Sequence, residues 1–265
     1  MSVPTIRTIG VVGTGVIGSS WTALFLARGL RVIVSDPAPG AEEKLQGYLN
    51  KEWPTLSRIG LSPGASLQNY QFVKSIDEHL PNVDYIQEVG GLLPLSYIAV
   101  YTSGTGILTR EQKNGPERLD FKRGLFAHLD ANTREDVILA SSSSGLPSSQ
   151  FVTDCKKNPG RVLIGHPFNP PHLVPLVEVV PHPETSQSAI EKAINFYKGL
   201  NKEPVLVKQE TPGFIANRLQ AAVCQEAYSL VSRGIISAED LGKFLSHFLV
   251  IGFIENDTDA RKTKQ

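Results

Sequence analysis

Apolar residues in the first part of the chain gather in short blocks of branched side chains, and between the blocks they recur at spacings of three and four. The blocks are strand patterns and the wider spacing is the stripe of a helix. Strands are predicted over 5–12, 30–35, 71–73 and 82–87, with helices over 19–28 and 39–56 and a turn over 75–79 capped by Ser75. Leu119, Leu125, Phe126 and Leu129 mark one face of an amphipathic helix over 116–129, and a strand follows over 136–140. Further on, the pattern predicts a short helix over 148–155, strands over 161–165 and 176–180, a helix over 185–200 and a strand over 204–208. Pro212 then stands at the first position of a helix running to about 233, and Ser237 caps one more.

Strands alternating with helices specify an α/β fold around a mostly parallel sheet. The chain is expected to divide into a dinucleotide-binding domain over 1–209 and an incomplete, all-α domain over 210–265. Two stretches break the pattern. Residues 89–113 place an apolar, glycine- and threonine-rich passage where a strand should feed directly into a helix, and long structureless insertions are uncommon in compact domains. Residues 242–265 turn first aromatic, then charged, and leave little chain for a helical domain. Valine codons begin with GT, and Gly242-Lys-Phe is encodable as GGTAAGTTT, so both stretches are expected to be intron sequence carried into the reading frame.

Charge is balanced, with 26 basic and 26 acidic residues, which removes the electrostatic footprint expected for nucleic acid or an anionic membrane. Cys155 and Cys224 form neither a disulfide framework nor a paired zinc motif. The N-terminus enters a strand without a signal-like run, and no stretch approaches the roughly 20 apolar residues of a membrane span. A cytoplasmic protein with a small-molecule partner is expected.

Chemistry concentrates in two places. Gly13-Thr-Gly15-Val16-Ile17-Gly18 joins a strand to a helix, which is the context that lets a glycine turn and a helix N-terminus receive a pyrophosphate. Asp36 ends the next strand, where a carboxylate binds ribose hydroxyls and repels a 2′-phosphate, so the cofactor expected is NAD. Glu88 closes a later strand and faces either the nicotinamide side or solvent. Serines 141–144 end another, either as a linker or as a substrate contact. The second place is 161–181, where His166 and Glu178 interrupt apolar strands and prolines stiffen the connection between them. A buried carboxylate orients an imidazole as a general base, and the same pair also serves as a structural ion pair.

Taken in order, the glycine turn with Asp36, SSSSGL at 141–146, HPFNPP at 166–171, LVEVVPHPET at 176–185 and TPGFIANRL at 211–219 resemble the L-3-hydroxyacyl-CoA dehydrogenase family over most of residues 5–240. The resemblance implies a Rossmann-type domain followed by a helical domain, NAD as cofactor, and a homodimer where the helical domain is complete. It also implies His166 as catalytic base, Glu178 as its partner acid, and Ser144 and Asn217 on the substrate hydroxyl, with Asn169 beside them. The form of the HPFNPP segment implies a polyhydroxy acid such as L-gulonate as substrate. The alternatives are a 3-hydroxyacyl-CoA of fatty acid metabolism and a catalytically impaired NAD-binding protein of crystallin type. No metal is expected.

Overall fold

The computed structural model describes residues 6–89 and 119–247. Nearly all of the interruption read at 89–113 lies outside the described residues, as does the chain from 248 onward. The chain divides into two compact units, Met1–Phe214 and Ile215–Gln265.

The first unit is built on one eight-stranded sheet. Its strands are β1 (Thr8–Val12), β2 (Arg31–Ser35), β3 (Tyr70–Val73), β4 (Tyr85–Glu88), β5 (Ile138–Ser141), β6 (Val162–Pro167), β7 (Leu176–Pro181) and β8 (Glu203–Leu206). Their order is β3-β2-β1-β4-β5-β6-β7-β8. The first six are parallel, in the 3-2-1-4-5-6 order of a doubly wound dinucleotide-binding sheet, and β7 runs back against β6. The helices are α1 (Val16–Ala27), α2 (Ala41–Ile59), α3 (Leu119–Asn132) and α4 (Gln187–Gly199).

Alternation along the strands sorts side chains into two cores. Val32 and Val34, Tyr85, Ala140, Leu163, Val177 and Val179 join Trp21 and Phe25 of α1, Leu45 of α2 and Tyr197 of α4 on one face. Their neighbours Ile33, Ile86, Leu139, Ile164 and Val180 join Phe126 and Leu129 of α3 on the other, with Phe151 and Phe214. The result is three layers, and a strand buried on both sides reads as an unbroken apolar run. Burial of each large apolar side chain contributes about 1.5–3 kcal/mol. Gly165 of β6 belongs to the α4 side, where a Cβ would collide with the Tyr197 hydroxyl, so only glycine lets that ring lie against the strand.

Three local expectations change. Residues 148–155 form two 3-10 turns, Ser148–Gln150 and Val152–Asp154, rather than a helix. Residues 77–82 also wind as a 3-10 helix, longer than the turn expected at Ser75. Most consequentially, the helix expected from Pro212 begins at Ala216, because Gly213 (φ 73°) and Phe214 (φ 48°) are left-handed and no helix passes through such residues.

The second unit carries α5 (Ala216–Ser232), and residues 238–247 are also helical. Ser237 caps the latter, its Oγ accepting from the Asp240 amide at 3.0 Å. Leu219, Val223 and Tyr228 of α5 are 63%, 42% and 76% exposed. Phe214, by contrast, is fully buried in the first unit and does not contribute to that apolar surface.

Candidate active site

The carboxyl ends of the six parallel strands share one edge of the sheet. From β1 that edge continues into the glycine turn. Gly13 (φ 102°) packs so closely on the Val89 carbonyl, and Gly18 on the Gly13 carbonyl, that neither position admits a side chain. Gly15 is different: a Cβ there would meet nothing within 4 Å, which is the open approach a phosphate requires. Val16 is 61% exposed at the start of α1, and Ile17 packs against the core. Asp36, just past β2, accepts the Thr14 amide at 2.8 Å and hydroxyl at 2.7 Å on Oδ2, and the Ala38 amide at 2.9 Å on Oδ1. These bonds hold a half-buried carboxylate beside the turn, so the residues present fit a dinucleotide with an unphosphorylated ribose.

His166 and Glu178 are cross-strand partners in the antiparallel pairing of β6 with β7. Both lie on the α3 face, 6% and 3% exposed, and His166 Nδ1 stands 2.7 Å from Glu178 Oε2. That contact holds the ring through Nδ1 and leaves Nε2 as the nitrogen available for proton transfer. The rings of Phe168 and Phe214 flank the imidazole at 5.1 and 5.6 Å and exclude water from its sides.

Four consecutive serines follow different paths. Ser141 donates to Glu88 Oε2 at 2.6 Å and accepts from Lys122 Nζ at 2.9 Å. Ser142 accepts from Gln87 Nε2 at 2.8 Å and from Trp21 Nε1 at 3.2 Å. Ser143 bonds both the amide and the carbonyl of Leu146. Ser144 is the exposed member of the run, on the chain leaving β5 beside β6.

Glu88, read as a cofactor contact, has its side chain turned into the protein: it is 1% exposed and paired with Lys122 at 3.1 Å. Lys122 was not singled out by the sequence, yet its position between Leu119 and Phe126 on the apolar stripe of α3 was a readable sign that its charge is buried with a partner. Asn169 is exposed on the loop after β6. Asn217 is half-buried in the first turn of α5, in the second unit, whereas His166, Glu178, Ser144 and Asn169 belong to the first. Among the described residues no group of histidine, cysteine and acidic side chains is placed to hold a metal, and no helix is long and apolar enough to cross a membrane.

The glycine turn and the strand order define a Rossmann-type dinucleotide-binding protein. More narrowly, residues 8–90 and 112–211 match the model of the 3-hydroxyacyl-CoA dehydrogenase, NAD binding domain, and the chain belongs to that family, whose cofactor is NAD. The match breaks off within the stretch where the strand-to-helix pattern fails. Among curated relatives, a 3-hydroxyacyl-CoA dehydrogenase of Gibberella moniliformis is 52% identical over 236 residues, covering 89% of this chain and 65% of the relative. An L-carnitine dehydrogenase of Pseudomonas aeruginosa is 41% identical over 236 residues, with the same 89% and 65% covered. The chain thus spans about 65% of the length of these curated relatives. Among solved structures, 5-formyl-3-hydroxy-2-methylpyridine 4-carboxylic acid 5-dehydrogenase, an NAD+-dependent dismutase, superposes with TM-score 0.74 at 29% identity, covering 91% of this chain and 70% of that one. The 3-hydroxybutyryl-CoA dehydrogenase of Escherichia coli shares the fold, with TM-score 0.71 at 24% identity over 88% of this chain and 44% of that one.

Proposed function

We propose that this chain carries the cofactor and base machinery of a dehydrogenase that oxidises the secondary alcohol of a 3-hydroxy acid or its thioester. The observation that carries the reading is the buried 2.7 Å contact of His166 Nδ1 with Glu178, on the same sheet edge as the glycine turn. NAD, when bound, supplies the hydride acceptor. His166 Nε2 takes the hydroxyl proton as C3 loses its hydride and the alcohol becomes a ketone. Glu178 stabilises the imidazolium as it forms, in a site too dry for solvent to do so. Ser144 and Asn169 hold the substrate oxygen and its acyl end.

Substrates with a free carboxylate and those carried on coenzyme A share the 3-hydroxyacyl group, and the relatives include enzymes named for each kind. L-carnitine and L-gulonate represent the first; the form of the HPFNPP segment, that of the lambda-crystallin type of L-gulonate 3-dehydrogenase, favours this class. NADH formation by the full chain with L-carnitine, L-gulonate and 3-hydroxybutyryl-CoA in parallel is the test. Turnover with one of them, lost in His166→Ala, is expected; turnover indifferent to that change, or none with any substrate while NAD still binds, would overturn the assignment.

A further inference from the structure

The loop joining β6 to β7 bears Asn169 at its start, and side chains from elsewhere in the first unit fasten it. Ser20 of α1 is the first. Its hydroxyl accepts the backbone N–H of His172 at 2.9 Å and lies 2.8 Å from Nδ1 of the same residue. Nε2 faces Glu52 Oε2 of α2 at 3.4 Å, and the Tyr48 hydroxyl lies 3.3 Å from Nδ1. Burial holds this imidazole below its ordinary range against the opposing pull of Glu52, in keeping with a neutral ring.

Lys202, between α4 and β8, supplies the other fastening. Its ammonium donates to the carbonyls of Pro171 and Val174, the latter at 2.7 Å, and sits 5.6 Å from the centre of the Trp21 ring. His172 and Lys202 are only 6% and 5% exposed. Burying a lysine is costly unless its donors are used, and here they are spent on the main chain of one loop. The helix that holds the other fastening begins at the glycine turn. The loop is therefore indexed to the cofactor helix as well as to the sheet.

We propose that Ser20, His172 and Lys202 are positioning residues that clamp the loop of residues 168–175 in register with α1, so that Asn169 meets a substrate whose reacting carbon the cofactor has already placed. What the loop does rests on the proposed dehydrogenase activity; the clamp itself is tested without it. Hydrogen exchange of the full chain, followed by peptide, is compared for the natural sequence, Ser20→Ala, Lys202→Met and Lys202→Arg. Exchange across 168–175 is expected to rise about tenfold in Ser20→Ala and Lys202→Met, with α1 and α4 unchanged and with Lys202→Arg close to the natural chain. In turnover assays the same two variants should raise the substrate KM about tenfold and leave the NAD KM within about twofold. An unaltered loop, faster exchange spread evenly over the unit, or equal effects on both KM values would overturn the clamp. A natural chain that turns over none of the substrates removes the activity reading alone, and the exchange result then decides.

Discussion

Replacing Gly165 by alanine tests how the strand that carries His166 is seated. The added methyl would occupy the space of the Tyr197 hydroxyl, which donates to Gln87 Oε1 at 2.7 Å. Tyr197 is fully buried, with Trp21 at 5.7 Å and Phe196 at 5.5 Å between ring centres, so the phenol has no open side to swing toward. Overpacking of this kind costs about 1–3 kcal/mol. Pulling the phenol off Gln87 strands a buried acceptor, for about 1–3 kcal/mol more. With partial relaxation the expected loss is about 3 kcal/mol in urea unfolding followed by tryptophan fluorescence. Tyr197→Phe alone should cost about 1–2 kcal/mol for the lost bond, yet it removes the nearest clashing atom and leaves only Cζ, at 2.8 Å, too close. The double variant should therefore be more stable than the sum of the singles predicts by about 1 kcal/mol or more. A Gly165→Ala chain within about 0.5 kcal/mol of the natural one, or an additive cycle, would refute the argument.

Other expectations follow from single contacts. Glu178→Gln keeps the shape of the pair but not its charge; losing about 1.5–3 kcal/mol of imidazolium stabilisation should lower kcat roughly 10- to 150-fold, and a kcat within about twofold would argue for a structural pair. Asp36→Ser should weaken NADH binding about tenfold and narrow its advantage over NADPH in fluorescence titration, because the carboxylate that repels a 2′-phosphate is gone. Burial, with Arg28 adding to it, pushes the Lys202 ammonium down to about 8. Between that value and the ordinary lysine range the unfolded chain holds a proton that the folded chain has lost, so stability rises with pH there, and below about 8 the buried charge is at full cost. Lys202→Met should flatten that rise, by about 1–3 kcal/mol between pH 7 and 10 in urea unfolding. Transcripts read through the codons for 89–113 and 242–265 should be dominated by forms that skip both, bringing the codons for β4 and α3 together; continuous reads as the main message would end the retained-intron reading.

The sheet was legible because its central strands are buried on both faces and punctuated by glycine and proline, and the His166–Glu178 contact was legible because both residues break apolar runs within one hairpin. Features set by distant pairs were not. The stripe of α3 shows that Lys122 is buried but not that it meets Glu88 and Ser141, 34 and 19 residues away, and no local spacing announces Ser20 meeting His172 at a separation of 152 residues. The false start of α5 at Pro212 has a local cause: Pro-Gly-Phe looks like a helix entry until two left-handed residues are imposed by the turn that buries Phe214 against His166.

In a sheet whose first six strands are parallel, β7 turns back on β6, and His166 and Glu178 meet across that seam. A parallel neighbour would have taken its acid from a crossover far away in sequence. The reversal writes the histidine and the glutamate into one uninterrupted hairpin, Val162–Pro167 and Leu176–Pro181, so one short stretch of sequence encodes the pair. Insertions, splice errors or domain exchanges elsewhere can strip away what surrounds it, and the dyad itself travels whole.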